Sequence, residues 1–202
     1  MKRLSSIRQH LLSVDPTLTS IISHLGDKPL SVSKDPFSDL VEAIINQQLS
    51  EKAGSTIFAR FTASFPQGTL TPQHILKRSD QSLRDLGVSW SKVTYMKSLA
   101  EAVSKKHLIL ADLDKMDDEG VITELTKIKG IGRWTAEMFL MFSLGREDVF
   151  SYGDLGLRRA IAKLYKFRDY PTTKQMEKIV KKWQPYRTFV AKMLWASLDT
   201  RE

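Results

Sequence analysis

Apolar residues recur every three or four positions along nearly the whole chain, a spacing typical of helices with one buried face. The spacing is clearest after Asp35-Pro36, where a capping acid precedes a proline suited to the first helical position. The apolar stripe of that segment consists of Phe37, Leu40, Val41, Ile44, Ile45 and Leu49. Alternation typical of a strand occurs only over 29–33 and is weak. The pattern predicts about ten helices joined by short links, and therefore an all-α fold.

Turn and capping signals give the expected ends of the later helices. We predict helices over 91–107, 133–144, 155–167 and 173–183, and a last one over 189–198. Shorter helices are expected after Thr71-Pro72 and from Ser79. The segment GREDVFSYG, residues 145–153, lacks helical spacing and is rich in charge. The sequence therefore places a domain boundary in this segment.

Composition excludes several classes of protein. The chain has 202 residues, no cysteine and four histidines without metal-ligand spacing, which excludes disulfides, thiolate nucleophiles and Cys-containing zinc sites. Apolar residues make up 42% and charged residues 27%, as in soluble globular proteins. No apolar run approaches the roughly 18 residues that a membrane span needs, and the polar N-terminus is unlike a signal peptide. We expect a cytoplasmic protein, or a nuclear one in a eukaryote, with no membrane partner.

The formal net charge of +8 is concentrated in one part of the chain. Residues 120–192 contain 15 Lys/Arg and 7 Asp/Glu, a net charge of +8, whereas the remainder holds 16 of each. A positive field confined to one stretch favours a polyanionic partner, most often nucleic acid. A solvated, lysine-rich helix surface explains the same charge equally well, and Lys181-Lys182 fits that description.

The most specific motif is LTKIKGIGRWTA, residues 125–136. One helix ends, a Gly-Ile-Gly turn follows, and a second helix begins at Arg133. Gly130 and Gly132 permit positive φ and the close approach of another backbone. The free N–H groups and the positive dipole end of the second helix suit a phosphate. Because backbone groups bind phosphate in any sequence, this element would position the protein on DNA without reading bases.

This motif, as LxxIxGIGRWTAE, resembles the hairpin of the helix-hairpin-helix DNA glycosylase superfamily. The family's Gly/Pro-rich loop and aspartate follow about one helix later, where this chain has VFSYGDLG over 149–156, with Asp154 at the aspartate. The family usually has proline where Ser151 stands. AIINQQLS at 43–50 and WQPYR at 183–187 are similar to the alkylpurine branch, 3-methyladenine DNA glycosylase II. The resemblance covers about 35–198.

The resemblance makes Asp154 the candidate catalytic residue. Taken alone, Asp before LGLRRAIA is a good helix N-cap, and that structural role is compatible with catalysis. Cleavage of an N-glycosidic bond builds positive charge on the sugar, which an ionised carboxylate stabilises while it orients or deprotonates a water. An alkylated purine already carries positive charge, so it leaves without a second acid.

Trp134 stands where lyase-competent members of the superfamily have a nucleophilic lysine, so the resemblance implies a monofunctional enzyme that uses water. Its indole would also attract a cationic base, although a lone tryptophan is more often core. Tyr152 is a second candidate for the wall of the base pocket, with loop packing as the alternative. Phe37 is a third.

The target base must leave the duplex before its bond can be reached, and a side chain must fill the space. By resemblance the turn 47–50 inserts there, with Gln48 and Leu49 as candidates, although Leu49 could instead end a core stripe. The resemblance also implies DNA-phosphate contacts and a monovalent ion, Na⁺ or K⁺, on hairpin carbonyls. The phosphate contacts are Lys129, Gly130, Ile131, Gly132, Arg133 and Thr135, and the carbonyls are those of Thr126, Ile128 and Gly130.

We therefore predict an all-α, two-lobed helix-hairpin-helix glycosylase with its active site in the cleft between the lobes. Residues 35–143 form the central lobe with the hairpin, and 1–34 plus 144–202 form the second. The predicted function is excision of alkylated purines of the 3-methyladenine and 7-methylguanine class from double-stranded DNA, by a monomer that requires no cofactor. One alternative is a glycosylase for deaminated bases such as hypoxanthine or uracil. Another is a non-catalytic protein that binds damaged DNA.

Overall fold

The computed structural model describes residues 2–27 and 29–199. Within these residues all regular secondary structure is helical and no strand occurs, which confirms the predicted all-α fold. The chain divides into two compact units. We call residues 32–144 the hairpin unit, and residues 1–31 with 145–202 the terminal unit. No helix in the described ranges is long and apolar enough to cross a membrane.

The hairpin unit contains seven α-helices among its described residues. They are α2 (Pro36–Asn46), α3 (Glu51–Ala63), α4 (Pro72–Lys77), α5 (Asp80–Arg84), α6 (Trp90–Ser104), α7 (Asp118–Thr126) and α8 (Arg133–Phe142). Side-chain caps begin most of them: the Asp35 carboxylate accepts from the Ser38 N–H, and the Thr71 hydroxyl accepts from the His74 N–H. The helices pack through fully buried apolar side chains, among them Leu40, Ile44 and Phe61.

The terminal unit contains four α-helices among its described residues. They are α1 (Lys2–Val14), α9 (Leu155–Leu164), α10 (Thr173–Val180) and α11 (Arg187–Asp199). Buried Asp15 joins distant parts of this unit: its Oδ2 accepts hydrogen bonds from the Tyr165 hydroxyl and from the Trp183 indole N–H, the latter at 3.1 Å. Burial alone would raise the pKa of Asp15, but these bonds and one from the Thr17 N–H lower it overall.

Several predicted helix ends need correction. The helix predicted over 155–167 ends at Leu164, and Lys166 takes a left-handed φ of 55° that cannot continue a helix. The helix predicted over 133–144 ends at Phe142. The last turn of the helix predicted over 173–183 is a 3₁₀ turn at Lys181–Trp183. Residues 29–33, the weak strand candidate, form no strand.

Candidate active site

Asp154 is the N-cap of α9 and is only 9% exposed. Its Oδ1 accepts hydrogen bonds from the Leu157 backbone N–H at 2.7 Å and from the Trp195 indole N–H at 3.1 Å. Gly156 lies against this arrangement: a Cβ added there would be 3.1 Å from Oδ1 and 3.3 Å from Trp195 Cδ1. Two donors on one oxygen hold the carboxylate in a single orientation. Its cap role is therefore real and also fixes the group for chemistry.

The loop before Asp154 is held from the start of α11. The Thr188 hydroxyl donates to the Arg146 carbonyl at 2.6 Å and accepts from the Val149 N–H at 3.0 Å. The Arg187 guanidinium binds both carboxylate oxygens of Asp148, at 2.7 and 3.1 Å. Ser151, which stands where the family usually has proline, is fully buried in this loop. Packing and hydrogen bonds thus supply the constraint that a proline ring would provide.

Tyr152 lies on the same loop and is half-buried. Its ring meets that of Phe150 edge-on at a centroid distance of 5.2 Å, and Phe150 in turn packs against Trp183 at 5.8 Å. Burial raises the pKa of the Tyr152 phenol, and a hydrogen bond from Arg187 opposes only part of that rise. The phenol is therefore neutral at physiological pH. Its packing with Phe150 supports the loop-packing alternative and leaves its role as pocket wall a prediction.

In the hairpin unit, Gly130 has a φ of 92°, the left-handed region that favours glycine. A Cβ at Gly130 would lie 2.1 Å from Cγ of Tyr95, so the turn also needs glycine for close packing. Gly132 is different: it is the N-cap of α8 at a φ of −92°, and a Cβ there would meet nothing within 4 Å. Of these two glycines, only Gly132 therefore borders open space where a phosphate could approach.

The first turn of α8 carries the other predicted phosphate contacts. Arg133 is exposed, but its guanidinium pairs with Glu119 and with Glu137, the latter at 3.0 Å. These two pairs direct the side chain toward its own unit, so its backbone N–H is the better phosphate donor. Ile131 and Thr135 are buried, so their side chains do not reach a ligand, and the Ile131 N–H already donates to the Ile128 carbonyl at 3.0 Å. Lys129 is exposed.

Trp134 is 47% exposed, so it is not a core tryptophan. The structural alternative considered for it, burial in the helical core, does not hold. Phe37, by contrast, is 5% exposed within α2, among the buried side chains of that helix. Its role in a base pocket stays a prediction.

The turn between α2 and α3 presents the two candidate intercalating residues to solvent. Gln48 is exposed at a left-handed φ of 58°, and Leu49 is 39% exposed, so Leu49 does not continue the core stripe. Gln47 donates from Nε2 to the Gly130 carbonyl at 2.9 Å and ties the turn to the hairpin. Lys92 Nζ donates to the Ile45 carbonyl at 2.8 Å. Two side chains thus hold the turn while its tip stays exposed.

The end of α2 is also packed closely against α3. A Cβ at Gly54 would lie 2.2 Å from the Asn46 side-chain oxygen, so a larger residue there would require the Asn46 side chain to move. Burial and neighbouring Asp39 raise the pKa of Glu42, and a hydrogen bond from Asn46 opposes that rise. The contacts of Asn46 with Gly54 and Glu42 support the base of the turn. They add no reactive group at its tip, Gln48 and Leu49.

The predicted ion ligands are backbone carbonyls. The Gly130 carbonyl accepts from Gln47 Nε2 and the Ile128 carbonyl accepts from the Ile131 N–H at 3.0 Å. A carbonyl oxygen has two lone pairs, so each of these two can still accept a second partner, and the monovalent ion stays a prediction. Among the described residues, no group of three or more His, Asp or Glu side chains could hold a metal.

Sequence reasoning missed four residues of these sites: Trp195, Lys92, Gln47 and Tyr95. Each acts over a large separation, 41 residues between Trp195 and Asp154 and 47 between Lys92 and Ile45. Of the four, only Gln47 stands in a segment that the resemblance singled out. No local pattern marks the others, because their partners are set by how the helices pack.

Comparison with known proteins defines the class. Residues 41–185 match the family described as HhH-GPD superfamily base excision DNA repair protein. The match covers most of the chain, and the chain therefore belongs to this superfamily. The predicted helix-hairpin-helix resemblance is confirmed.

Individual relatives narrow the comparison. The chain is 34% identical over 197 residues to DNA-3-methyladenine glycosylase 1 of Schizosaccharomyces pombe, covering 95% of this chain and 86% of the relative. A solved structure of the 3-methyladenine DNA glycosylase from that yeast, in complex with abasic DNA, matches with a TM-score of 0.84 over 95% of this chain and 96% of that one. A DNA-3-methyladenine glycosidase from Bacillus halodurans matches with a TM-score of 0.81 at 38% identity, over 95% and 88% of the two chains.

Proposed function

We propose that this protein is a monofunctional DNA glycosylase that removes alkylated purines, of the 3-methyladenine and 7-methylguanine class, from double-stranded DNA. The observation that carries the proposal is Asp154: a buried carboxylate, fixed by the Leu157 N–H and the Trp195 indole, after a hairpin of the matching superfamily. Relatives named as 3-methyladenine DNA glycosylases support the substrate class.

In the proposed reaction the bond between C1′ and the purine nitrogen breaks as positive charge develops on the deoxyribose. Ionised Asp154 stabilises that charge and orients or deprotonates the attacking water, whose oxygen becomes the new C1′ hydroxyl. The bonding electrons leave with the base, which its alkyl group already made cationic. No second acid is needed. The Trp195 and Leu157 bonds keep the carboxylate in place throughout, so little reorganisation accompanies the step.

Exposed Trp134 supports two further parts of the proposal. The side chain is 47% exposed, and contact of its indole with a cationic base would be worth about 1–2 kcal/mol when the pair is desolvated. Trp134 stands where lyase-competent relatives have a lysine, and it has no amine to attack the sugar. The product is therefore an abasic site in an intact strand. Borohydride reduction during turnover should trap no protein–DNA adduct. A trapped adduct would show that a lysine of this chain, with Lys129 the first to test, supplies an amine.

The hairpin unit supplies the grip on the duplex in this proposal. The hairpin over 129–135 contacts phosphates through backbone N–H groups at the start of α8. The exposed tip of the turn, Gln48 and Leu49, enters the space left by the extruded base. Its fixed support from Gln47 and Lys92 favours insertion without rearrangement.

A monovalent cation on the carbonyls of Thr126, Ile128 and Gly130 is proposed as an addition to the hairpin. Such an ion would add positive charge for a phosphate there. Binding of duplex DNA should be tighter in K⁺ or Na⁺ than in tetramethylammonium at equal ionic strength, and equal affinity would contradict the ion.

We also propose that the protein acts as a monomer on chromosomal DNA, in the bacterial nucleoid or in a nucleus.

The test is release of free base from methylated duplex DNA, resolved by chromatography, with Asp154→Asn and Asp154→Ser as variants. Asn and Ser cap helices about as well as Asp, so both variants should fold with nearly unchanged melting temperature. Because neither carries the charge, base release should fall about 10²- to 10³-fold, as when one electrostatic group is removed from an active site. Near-normal release by Asp154→Asn would refute the catalytic assignment. Duplexes containing hypoxanthine or uracil are assayed in parallel. Release of those bases, rather than of methylated purines, would favour the alternative of a glycosylase for deaminated bases.

A further inference from the structure

The positive charge of this protein is not on the unit that carries the hairpin. Residues 32–144 contain 14 Lys/Arg and 14 Asp/Glu, a net charge of zero. Residues 158–182 of the terminal unit contain 9 Lys/Arg and only 2 Asp/Glu, a net charge of +7. The charge first counted over 120–192 is therefore concentrated in α9, α10 and the segment that joins them.

The cations of this segment lie on the solvent side of both helices. On α9, Arg159 and Lys163 are exposed at a spacing of four residues, opposite the buried Leu157 and Ile161, and exposed Lys166 follows just beyond the end of the helix. At about 100° per residue Arg159 and Lys163 lie about 40° apart around α9. Together with Lys166 just after the helix, they form the first stripe.

A second stripe lies on α10 and the 3₁₀ turn that continues it. Lys174, Lys178 and Lys181 are exposed and fall within a similar arc, opposite the buried Met176 and Val180. We call the six residues of the two stripes the basic stripes.

Five of the six stripe residues have no salt-bridge partner in the part of the chain that the structure describes. Among the described residues, Arg159, Lys166, Lys174, Lys178 and Lys181 form no salt bridge. Cations at i and i+4 on one helix face repel each other and weaken the helix. A surface that serves only for solubility would gain from interspersed acids, as the hairpin unit has them. Asp169 and Glu177 are the acids of this segment against nine cations, and this excess of one sign favours an anionic partner.

The stripe on α9 begins next to the candidate catalytic acid. Asp154 caps this helix, and a helix rises about 1.5 Å per residue, so Arg159 and Lys163 lie about 8 and 14 Å along the axis from Asp154. Phosphates of one DNA strand follow at about 3.4 Å per step along the duplex axis. A nucleotide held at Asp154 therefore brings the phosphates of its near neighbours within the range of these side chains.

We propose that the basic stripes form a second DNA-contacting surface, separate from the hairpin, which binds the sugar-phosphate backbone beside the target nucleotide. This inference rests on the proposed function in taking duplex DNA as the ligand and Asp154 as the place of the target nucleotide. The hairpin then binds phosphate mainly through neutral backbone groups, while the stripes supply most of the salt-dependent affinity.

The test compares three double variants that each remove two charges. Arg159→Gln/Lys166→Gln alters the α9 stripe, and Lys174→Gln/Lys178→Gln alters the α10 stripe. Lys34→Gln/Lys77→Gln, two exposed lysines of the neutral hairpin unit, is the matched control. Affinity for an undamaged duplex is measured by fluorescence anisotropy over a series of salt concentrations.

For each phosphate that a variant no longer neutralises, the slope of log K against log salt should become shallower by about 0.9. Each stripe variant should have a slope shallower by about 1–2, and the control should keep the wild-type slope. Base release from bound, saturating DNA in a single turnover should be unchanged in the stripe variants, because the stripes do not touch the reacting atoms. If the stripe variants have the same salt slope as the control variant, the proposal is overturned. Binding of some other acidic molecule by the stripes would not rescue it.

Failure of the proposed function gives a different result. If the wild-type protein releases no base, the glycosylase proposal fails, while the slopes on undamaged duplex still decide the role of the stripes. Thermal melting followed by circular dichroism checks that each variant folds. If a double variant does not fold, Lys178→Gln alone should still make the slope shallower by about 0.9 relative to Lys77→Gln.

Discussion

DNA binding by the hairpin can be tested by substitution of Gly132 but not of Gly130. A side chain at Gly130 would clash with Tyr95, whereas one at Gly132 would meet nothing within 4 Å. Gly132→Ala adds a methyl group that meets nothing within 4 Å, at a φ of −92° that alanine adopts freely. The remaining cost is the poorer N-cap preference of alanine, below about 1 kcal/mol. The variant should therefore fold with a melting temperature close to that of wild type.

The same methyl group lies where a phosphate would meet the start of α8. Hydrogen bonds to charged groups contribute roughly 1.5–3 kcal/mol, so removal of one backbone N–H bond to phosphate should weaken binding roughly 10- to 100-fold. The effect should be equal on every DNA sequence, because no base is read there. Fluorescence anisotropy on two unrelated undamaged duplexes measures it. Affinity equal to that of wild type would mean that the hairpin is only a corner between two helices.

Gly130→Ala is the comparison that shows why the choice of glycine matters. A Cβ at this position would lie 2.1 Å from Tyr95 Cγ, and the left-handed φ of 92° is itself costly for alanine. We expect a clear decrease in stability, of a few kcal/mol as for other strained and overpacked sites. Weak DNA binding by this variant would then report misfolding of the turn, so it cannot replace Gly132→Ala.

Three further outcomes are expected. Trp195→Phe removes one of the two donors to Asp154 Oδ1 and should lower kcat for base release roughly 10-fold or more with little change in DNA affinity; a change in affinity alone would contradict a positioning role. Lys92→Met removes the bond to the Ile45 carbonyl and should weaken binding to an abasic-analogue duplex more than to intact duplex, with partial rescue by Lys92→Arg. Asp15→Ala leaves two buried donors unpaired and should lower the free energy of unfolding by about 2–5 kcal/mol, measured by urea denaturation.

Asp15 also gives a dependence of stability on pH. Its pKa in the folded protein lies below the ordinary value of 3.8, so its contribution is complete above that pH and is lost as pH falls through the folded pKa. Wild type should therefore lose stability below about pH 4 more steeply than Asp15→Ala does. Parallel curves for the two proteins in that range would contradict the hydrogen-bonded, ionised state of Asp15.

Much of the fold follows from local signals in the sequence. Asp35, Thr71 and Asp154 were predicted to begin helices and do so as N-caps, because capping depends on a side chain and the backbone three residues on. The ends are less predictable. Lys166 stops a helix through a left-handed φ that no Gly or Pro indicates, and the Phe167 N–H closes the helix end on the Ala162 carbonyl at 2.9 Å.

The candidate site divides in the same way. The motif located Asp154, but the Trp195 indole reaches it from a helix 41 residues later, and no spacing connects the two in sequence. The count of charged residues gave the right net charge of +8, but the segment 120–192 is broader than the region 158–182, which carries +7 of it. The chain folds as a neutral unit and a basic one, so Arg133 and Lys129 belong to the neutral unit and the positive field belongs to α9 and α10.

The cap role of Asp154 and its proposed catalytic role are compatible and support each other. A carboxylate that serves only as a cap needs one backbone donor, and the Leu157 N–H supplies it at 2.7 Å. The Trp195 indole adds a donor on the same oxygen, from another helix, and Gly156 leaves just enough space for that approach. A cap gains little from this second donor. A carboxylate that must meet developing charge at a fixed place gains an orientation that does not depend on the substrate. Gly156→Ala should therefore disturb base release more than it disturbs the stability of α9, where alanine is the better helix former. If base release keeps its wild-type rate while the methyl group displaces Trp195, the indole contact is packing alone.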